Sequence, residues 1–187
     1  MDWFKKYQDG LPYQEFLSKF GTADQMTGWG NYRAQVQLSD SQLELLKSFS
    51  REIHVLCMAG VWCGDCVQQC PIFDVFEEAA STIHIRYVDR DEDAELKEAL
   101  TICGGARVPQ VVFFNEDGQV LGRNGDRTLS RYRAMAATQI GAACPTGILG
   151  DSGDPVLKGV VQDWLNEFER MHLICRLSPR LRQKHND

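Results

Sequence analysis

The sequence predicts an α/β fold, a central mixed β-sheet flanked by helices, with additional helices at both termini. Three observations predict it. Short apolar runs alternate with amphipathic stretches in the order strand, helix, strand, helix between residues 53 and 100. Two further apolar runs are joined by Glu116-Asp117-Gly118-Gln119, a turn that sets them antiparallel. Helical spacing marks the N-terminal segment and the C-terminal one.

Each element follows from its residues. Aromatics and leucines cluster around Leu11 to Phe20, and Gly21, Gly28 and Gly30 break the pattern, so residues 1–50 read as short helices. Ser39 stands three residues ahead of Gln42, a capping-box spacing. Leu43, Leu46 and Phe49 follow at helical intervals and predict a helix over about 40–49. Ile53 to Ala59 is too short and too apolar for a surface helix and meets Gly60, the pattern of a buried strand. From Cys66 onward Val67, Pro71, Phe73, Val75, Phe76 and Ala79 keep helical order, with a kink expected where Pro71 removes a backbone donor. Ile83 to Val88 alternates apolar and polar residues, a second strand ending at Asp89. Asp91 and Asp93 offer caps for a helix through Leu96, Ala99 and Leu100, ended by Gly104 and Gly105. Val108 to Phe114 predicts a third strand with Pro109 at its start, and Val120 to Gly122 a fourth. A helix over about 128–140, a loop over 141–155, a last helix over 156–177 and a polar tail complete the chain.

With 187 residues, 43% hydrophobic and 25% charged, the chain can bury a core without disulfides or a structural metal. Its seven cysteines therefore call for a chemical reason. A formal net charge of −6 supplies no general field for phosphates, so no nucleic-acid partner is expected. No apolar stretch approaches the roughly 20 residues that cross a bilayer, and no membrane association is expected. The first ten residues lack the continuous apolar run of a secretory leader, which places the cysteines in a reducing cytoplasm.

Cys63 and Cys66 form a C-x-x-C between a buried strand and a helix. The unpaired amides and partial positive charge of a helix N-terminus stabilise a thiolate at the first cysteine. The pattern predicts Cys63 as the nucleophile toward a substrate disulfide, and Cys66, one turn on, as the thiol that closes the Cys63–Cys66 bond. Gly64 is expected to let the turn close without a clash. Asp65 occupies the first helical turn, where the dipole favours it but its charge opposes the thiolate.

Trp62-Cys63-Gly64-Asp65-Cys66 after a buried strand, Pro71 five positions beyond Cys66, and Val108-Pro109 opening a later strand together resemble the thioredoxin superfamily, over roughly residues 51–137. The chain is also similar to bacterial cytosolic thioredoxin-like proteins with a helical N-terminal extension. The resemblance implies a thioredoxin-like fold, a cis Pro109 facing the cysteine pair, and a substrate chain pairing along the backbone near Val108. It implies a cytoplasmic thiol–disulfide oxidoreductase that needs no cofactor, acts on protein or small-molecule disulfides and is recycled by a reductase. The chain then divides, within a single domain, into a helical extension over 1–50, a core over 51–137 and a helical extension over 138–187. Members commonly carry a buried Asp six positions before the nucleophile and a Lys that accompanies it. Here those positions hold Cys57 and fall near Ile85, so the usual proton relay is missing. Arg107, two positions ahead of Pro109, is expected close enough to help hold Cys63 ionised, and Trp62 to cover one side of the pair.

Two rival functions use the same residues. A binding or regulatory module with a redox-sensing dithiol and little turnover is favoured by the missing relay and opposed by the intact pair beside Trp62. Metal or iron–sulfur binding through Cys63, Cys66 and Cys70 matches part of a ferredoxin run. The cysteine that run needs at position 60 is Gly60, however, and Cys66 and Cys70 share a helix face, so no metal ligand is assigned. Cys57 and Cys70 read as small buried hydrophobes and Cys103 as buried at a helix end, with accessory redox roles open for Cys70 and Cys103. Cys144 and Cys175 show no sign of pairing. His54, His84, His172 and His185 share no ligand spacing with any cysteine. Arg127 and Arg131, one helical turn apart, read as surface charges, and Arg176, Arg180, Arg182 and Lys184 as an unstructured basic tail.

Overall fold

A computed structural model describes residues 1–139 and 154–187. The apolar runs form four strands, β1 (Ile53–Ala59), β2 (Ile83–Asp89), β3 (Gln110–Asn115) and β4 (Val120–Gly125), in the spatial order β2-β1-β3-β4. β1 runs parallel to β2 and antiparallel to β3, and β3 is antiparallel to β4, so the sheet is mixed. Position in the sheet explains each strand's composition. β1 and β3 are central and covered on both faces, so apolar residues run nearly without interruption. β2 alternates buried Ile83, Ile85 and Tyr87 with half-buried neighbours, and β4, at the edge, has no buried residue.

Helices α1 (Trp3–Asp9), α2 (Tyr13–Phe20), α3 (Ala23–Arg33) and α4 (Asp40–Lys47) precede the sheet. Thr22 with Gln25, and Ser39 with Gln42, complete capping boxes on α3 and α4. Within the sheet's span lie α5 (Gly64–Ala79), which continues through Pro71, and α6 (Ala94–Ala99). After it come α7 (Leu129–Gln139), α8 (Pro155–Leu177) and α9 (Pro179–His185).

Both terminal segments belong to the same hydrophobic core as the strands. Phe16 stacks on Tyr87 of β2 at 5.4 Å, with Tyr13 and Trp29 in the same aromatic group. Leu11 exchanges two backbone hydrogen bonds with Tyr87, at 2.9 and 2.7 Å, which satisfies part of the outer edge of β2. α8 buries Leu157, Val160, Val161, Trp164, Leu165, Phe168 and Met171 along one helical stripe. Its Phe168 meets Phe76 and Phe113 edge-on, and Trp164 meets Phe73 at 4.7 Å.

Several boundaries and placements differ from the sequence reading. β3 begins at Gln110, because Pro109 has no N–H to pair, and β4 runs on to Gly125. Asp93 caps α6 by accepting from the Leu96 amide at 2.9 Å, whereas Asp91 pairs with Lys97 and Arg90. Cys103 is exposed in the turn after α6, where its φ of 51° puts it in the left-handed region, and it is not buried at a helix end. The basic tail is not unstructured. It forms α9, whose Lys184 lies 2.6 Å from Glu116, while Arg180 pairs with Asp117 and His185 with Glu116. The acidic β3–β4 turn, some 65 residues upstream, supplies the partner that makes this helix dock. Residues 140–153, which include Cys144 and most of the loop expected over 141–155, lie outside the described residues. Among the described residues no helix is long and apolar enough to cross a membrane.

Candidate active site

β1 delivers the chain to the site at Ala59, and Gly60 begins the turn that leads to Cys63, whose amide donates to the Gly60 carbonyl at 3.0 Å. Gly60 is required by its neighbour. A Cβ there would fall 2.7 Å from the Trp62 indole, so only glycine lets the ring fold back over the turn. That indole is 49% exposed, and the Arg90 guanidinium sits 4.3 Å from its ring centre, a cation–π contact. Gly64 has no such role, since a Cβ at that position would meet nothing within 4 Å. The clash expected there does not exist.

Cys63 occupies the N-cap position of α5 and makes no side-chain cap bond, which leaves the first amides of the helix free to face its sulfur. The Cys63 Sγ is half-buried and donates to the Val108 carbonyl at 3.5 Å, and the nearby Asp65 and Cys66 amides favour its charged form. The Val108–Pro109 peptide is cis. Cys66 lies in the first turn of α5, fully buried behind Cys63. One thiolate is shared by the pair. Burial opposes charge on Cys66, yet the thiols of Cys63 and Cys70 outweigh it and pull Cys66 down to about 5. The Cys63 thiol is pushed up, first by the neighbouring Cys66 sulfur and then by burial. The ready ionisation expected of Cys63 alone therefore belongs to the two sulfurs together.

Asp65 is held from the far side of the site. Arg127 reaches it at 2.5 Å and Arg131 at 3.8 Å, so these arginines are not the free surface charges that their spacing suggests. Asp126, at the end of β4 and only 2% exposed, pairs with Arg107 at 3.3 Å and Arg127 at 3.5 Å and accepts from the Tyr132 hydroxyl. Burial raises its carboxyl, but Tyr132, its own amide and Arg107 hold it below the usual carboxylate range. Buried Gln69 ties the layers together. Its amide donates to the Asp126 carbonyl at 2.8 Å and accepts from the Trp164 indole at 2.9 Å. From the N-terminal side, Trp29 donates to the Val61 carbonyl at 3.0 Å.

Trp62, Cys63, Asp65, Arg107, Val108 and Arg127 border one open groove of about 410 Å³. The structure thus brings five of the sequence-predicted residues to a common surface, with Cys66 buried behind them and Pro109 fixing the Val108 turn. Gly60, Gln69, Asp126, Arg127 and Tyr132 join them without having been singled out for the site. A glutamine among the apolar residues of α5 is the one sequence signal that pointed to such a bridge. Among the described residues, no group of three or more His, Cys, Asp or Glu side chains is arranged to hold a metal ion.

A family model described as Thioredoxin matches residues 10–138. In fold the chain is similar to a Pseudomonas aeruginosa protein of unknown function, at 19% identity over 90% of this chain and 98% of that one, with a TM-score of 0.69. It is also similar to an HIV epitope-scaffold, at 17% identity over 92% of this chain and 93% of that one, with a TM-score of 0.63. No curated protein matches the chain.

Proposed function

The chain belongs to the thioredoxin family, and from that premise we propose that it is a thiol–disulfide oxidoreductase in which Cys63 attacks and Cys66 resolves. The observation that carries the reading is the placement of the pair. One sulfur faces a groove at a helix N-terminus, and its partner lies buried one turn behind and ready to ionise. The buried thiolate supplies the base that a missing carboxylate would otherwise provide. Cys66 takes the Cys63 proton, and the charge moves to the sulfur at the helix N-terminus, where the Asp65 and Cys66 amides favour it. The Cys63 thiolate attacks one sulfur of a substrate disulfide and expels the other as a thiolate. Cys66, giving up its proton, then attacks Cys63, releases the second substrate thiol and leaves the Cys63–Cys66 disulfide. The Val108 carbonyl beside Cys63 offers an acceptor to a bound substrate backbone. Arg107, tied to Asp126 at the groove wall, shapes the site more than it charges Cys63. Residues 1–50 and 138–187 work with the 51–137 core as one domain, in the cytoplasm, with disulfide-bearing proteins or small molecules as substrates, a reductase for recycling and no cofactor.

Insulin reduction with dithiothreitol as the electron source tests the reading. Wild type should accelerate it catalytically, and Cys63→Ser should abolish the acceleration. A Cys63→Ser protein as active as wild type overturns the assignment. Cys57 in place of an acid favours a second reading, a regulatory dithiol. Stoichiometric oxidation of the pair without catalytic insulin reduction is its signature.

A further inference from the structure

Four cysteines lead from the groove into the core. Cys63 borders the groove, and Cys66 lies one helical turn behind it. Cys70 lies one further turn along the same face of α5. Cys57, on central strand β1, stands 3.9 Å from the Cys70 sulfur. Cys57, Cys66 and Cys70 are all fully buried. A buried cysteine alone is a small hydrophobe. Packing requires no particular chemistry at these positions, whereas thiols one helical turn apart, ending in a sulfur–sulfur contact with the next strand, offer a path for disulfide exchange.

We propose that Cys57 and Cys70 form a second redox-active dithiol, filled from the Cys63–Cys66 disulfide by internal exchange. The proposal rests on the oxidoreductase reading, which supplies that first disulfide. In the first step the Cys70 sulfur attacks Cys66. The Cys66–Cys70 bond forms, the Cys63–Cys66 bond breaks, and the proton lost by Cys70 ends on Cys63. In the second, Cys57 attacks Cys70. The Cys57–Cys70 bond forms, the Cys66–Cys70 bond breaks, and the proton lost by Cys57 ends on Cys66. No electron enters or leaves, and Cys63 and Cys66 return as a dithiol able to reduce a second substrate. One molecule then carries four electrons where the surface pair alone carries two. Bond formation asks the 3.9 Å gap to close to about 2.05 Å. The exchange is slow, because burial pushes up the thiols of both Cys57 and Cys70.

The test oxidises the reduced full-length protein with hydroxyethyl disulfide, blocks free thiols in denaturant, and maps links after cutting behind Trp62 and before Asp65. Cys57 and Cys63 then lie on separate fragments, with Cys66 and Cys70 together on a third. The expected result is a Cys63 link that appears first and a Cys57 link that follows it. The Cys57 link should be lost in Cys70→Ala, and it should form at least about tenfold more slowly in Cys63→Ser, whose buried thiols have no entry route. Cys57→Val, of similar volume, should keep the Cys63 link, so a folding defect at Cys70 does not decide the matter. The proposal falls if wild type forms the Cys63 link while Cys57 stays alkylated as a free thiol, or if Cys57 oxidises equally fast without Cys63. Absence of the Cys63–Cys66 link itself removes the oxidoreductase reading and this proposal with it.

Discussion

Gly60 is where the strand yields to the cysteine turn, and a methyl group there would come within 2.9 Å of three atoms of the Trp62 ring. The ring is half exposed, so it can swing outward. Gly60→Ala is expected to cost less than about 1 kcal/mol of stability and to uncover Cys63, raising its iodoacetamide alkylation rate a few-fold. An unchanged rate with unchanged tryptophan fluorescence would show that the indole does not shield the sulfur. The shared thiolate has its own signature in pH. Because Cys66 is pulled down to about 5, the pair is singly ionised across the neutral range. Alkylation at Cys63 should therefore be nearly flat from pH 6 to 8 and fall as the pH drops through about 5. An ordinary thiol instead gains tenfold in rate per pH unit below its pKa of about 8.5, and that slope between pH 6 and 8 would refute the shared charge. Trp62, Cys63 and Cys66 are legible as a group because their motif is local, whereas Val108 and Pro109, 45 residues on, joined them only through the resemblance to a known family. Asp126 and Arg127 escape such reading. Each lies about 60 residues from its partner on α5, and only the folded β4 brings them back to the helix start.

At the scale of elements, β1, β2 and α8 are legible because each carries its own evidence, an uninterrupted apolar run, an alternation or a stripe at helical spacing. α9 is not legible, since its seven residues have little apolar pattern and dock through charges on a turn remote in sequence. Its attachment should nevertheless depend more on Leu181, 1% exposed, than on its ion pairs. Leu181→Ala is expected to cost about 2–3 kcal/mol in urea unfolding, and Lys184→Ala far less, since exposed pairs contribute little. The reverse order would mean that the charge network holds the helix. The union of α5 with α8 turns on Gln69, whose removal strands the Trp164 N–H and the Asp126 carbonyl in the interior. Gln69→Ala should cost about 2 kcal/mol or more. It should also slow insulin reduction, because the same side chain spaces Asp126 from the cysteine helix.

For the whole molecule, the two terminal segments meet at His172, whose protonation couples them to pH. The ring of this α8 residue stacks on Phe49 at 4.4 Å, and its Nε2 accepts from the Ser50 amide at 3.0 Å, so folding requires it neutral. Burial is the main cause that lowers its pKa, and the nearby Arg176 and Arg51 add to it, taking it from 6.5 to about 4. Asp187 pairs with both arginines. The unfolded chain therefore takes up the proton at a pH where the folded chain still refuses it. The contribution is complete above about pH 6.5 and is lost as the pH falls toward 4, amounting to about 2 kcal/mol between pH 7 and 5. His54, lowered chiefly by burial, acts in the same direction. Glu77 and Asp89, raised chiefly by burial, act in the opposite one, because the folded state binds their protons first. The wild-type curve sums these with every other shifted group, so the informative quantity is the difference from His172→Gln, which cannot take up a proton and keeps an acceptor for Ser50. Urea unfolding at pH 7 and pH 5 should show the variant losing about 2 kcal/mol less than wild type over that interval. Equal losses would mean that His172 is already free to protonate in the folded protein, and that its junction between the segments is open to water.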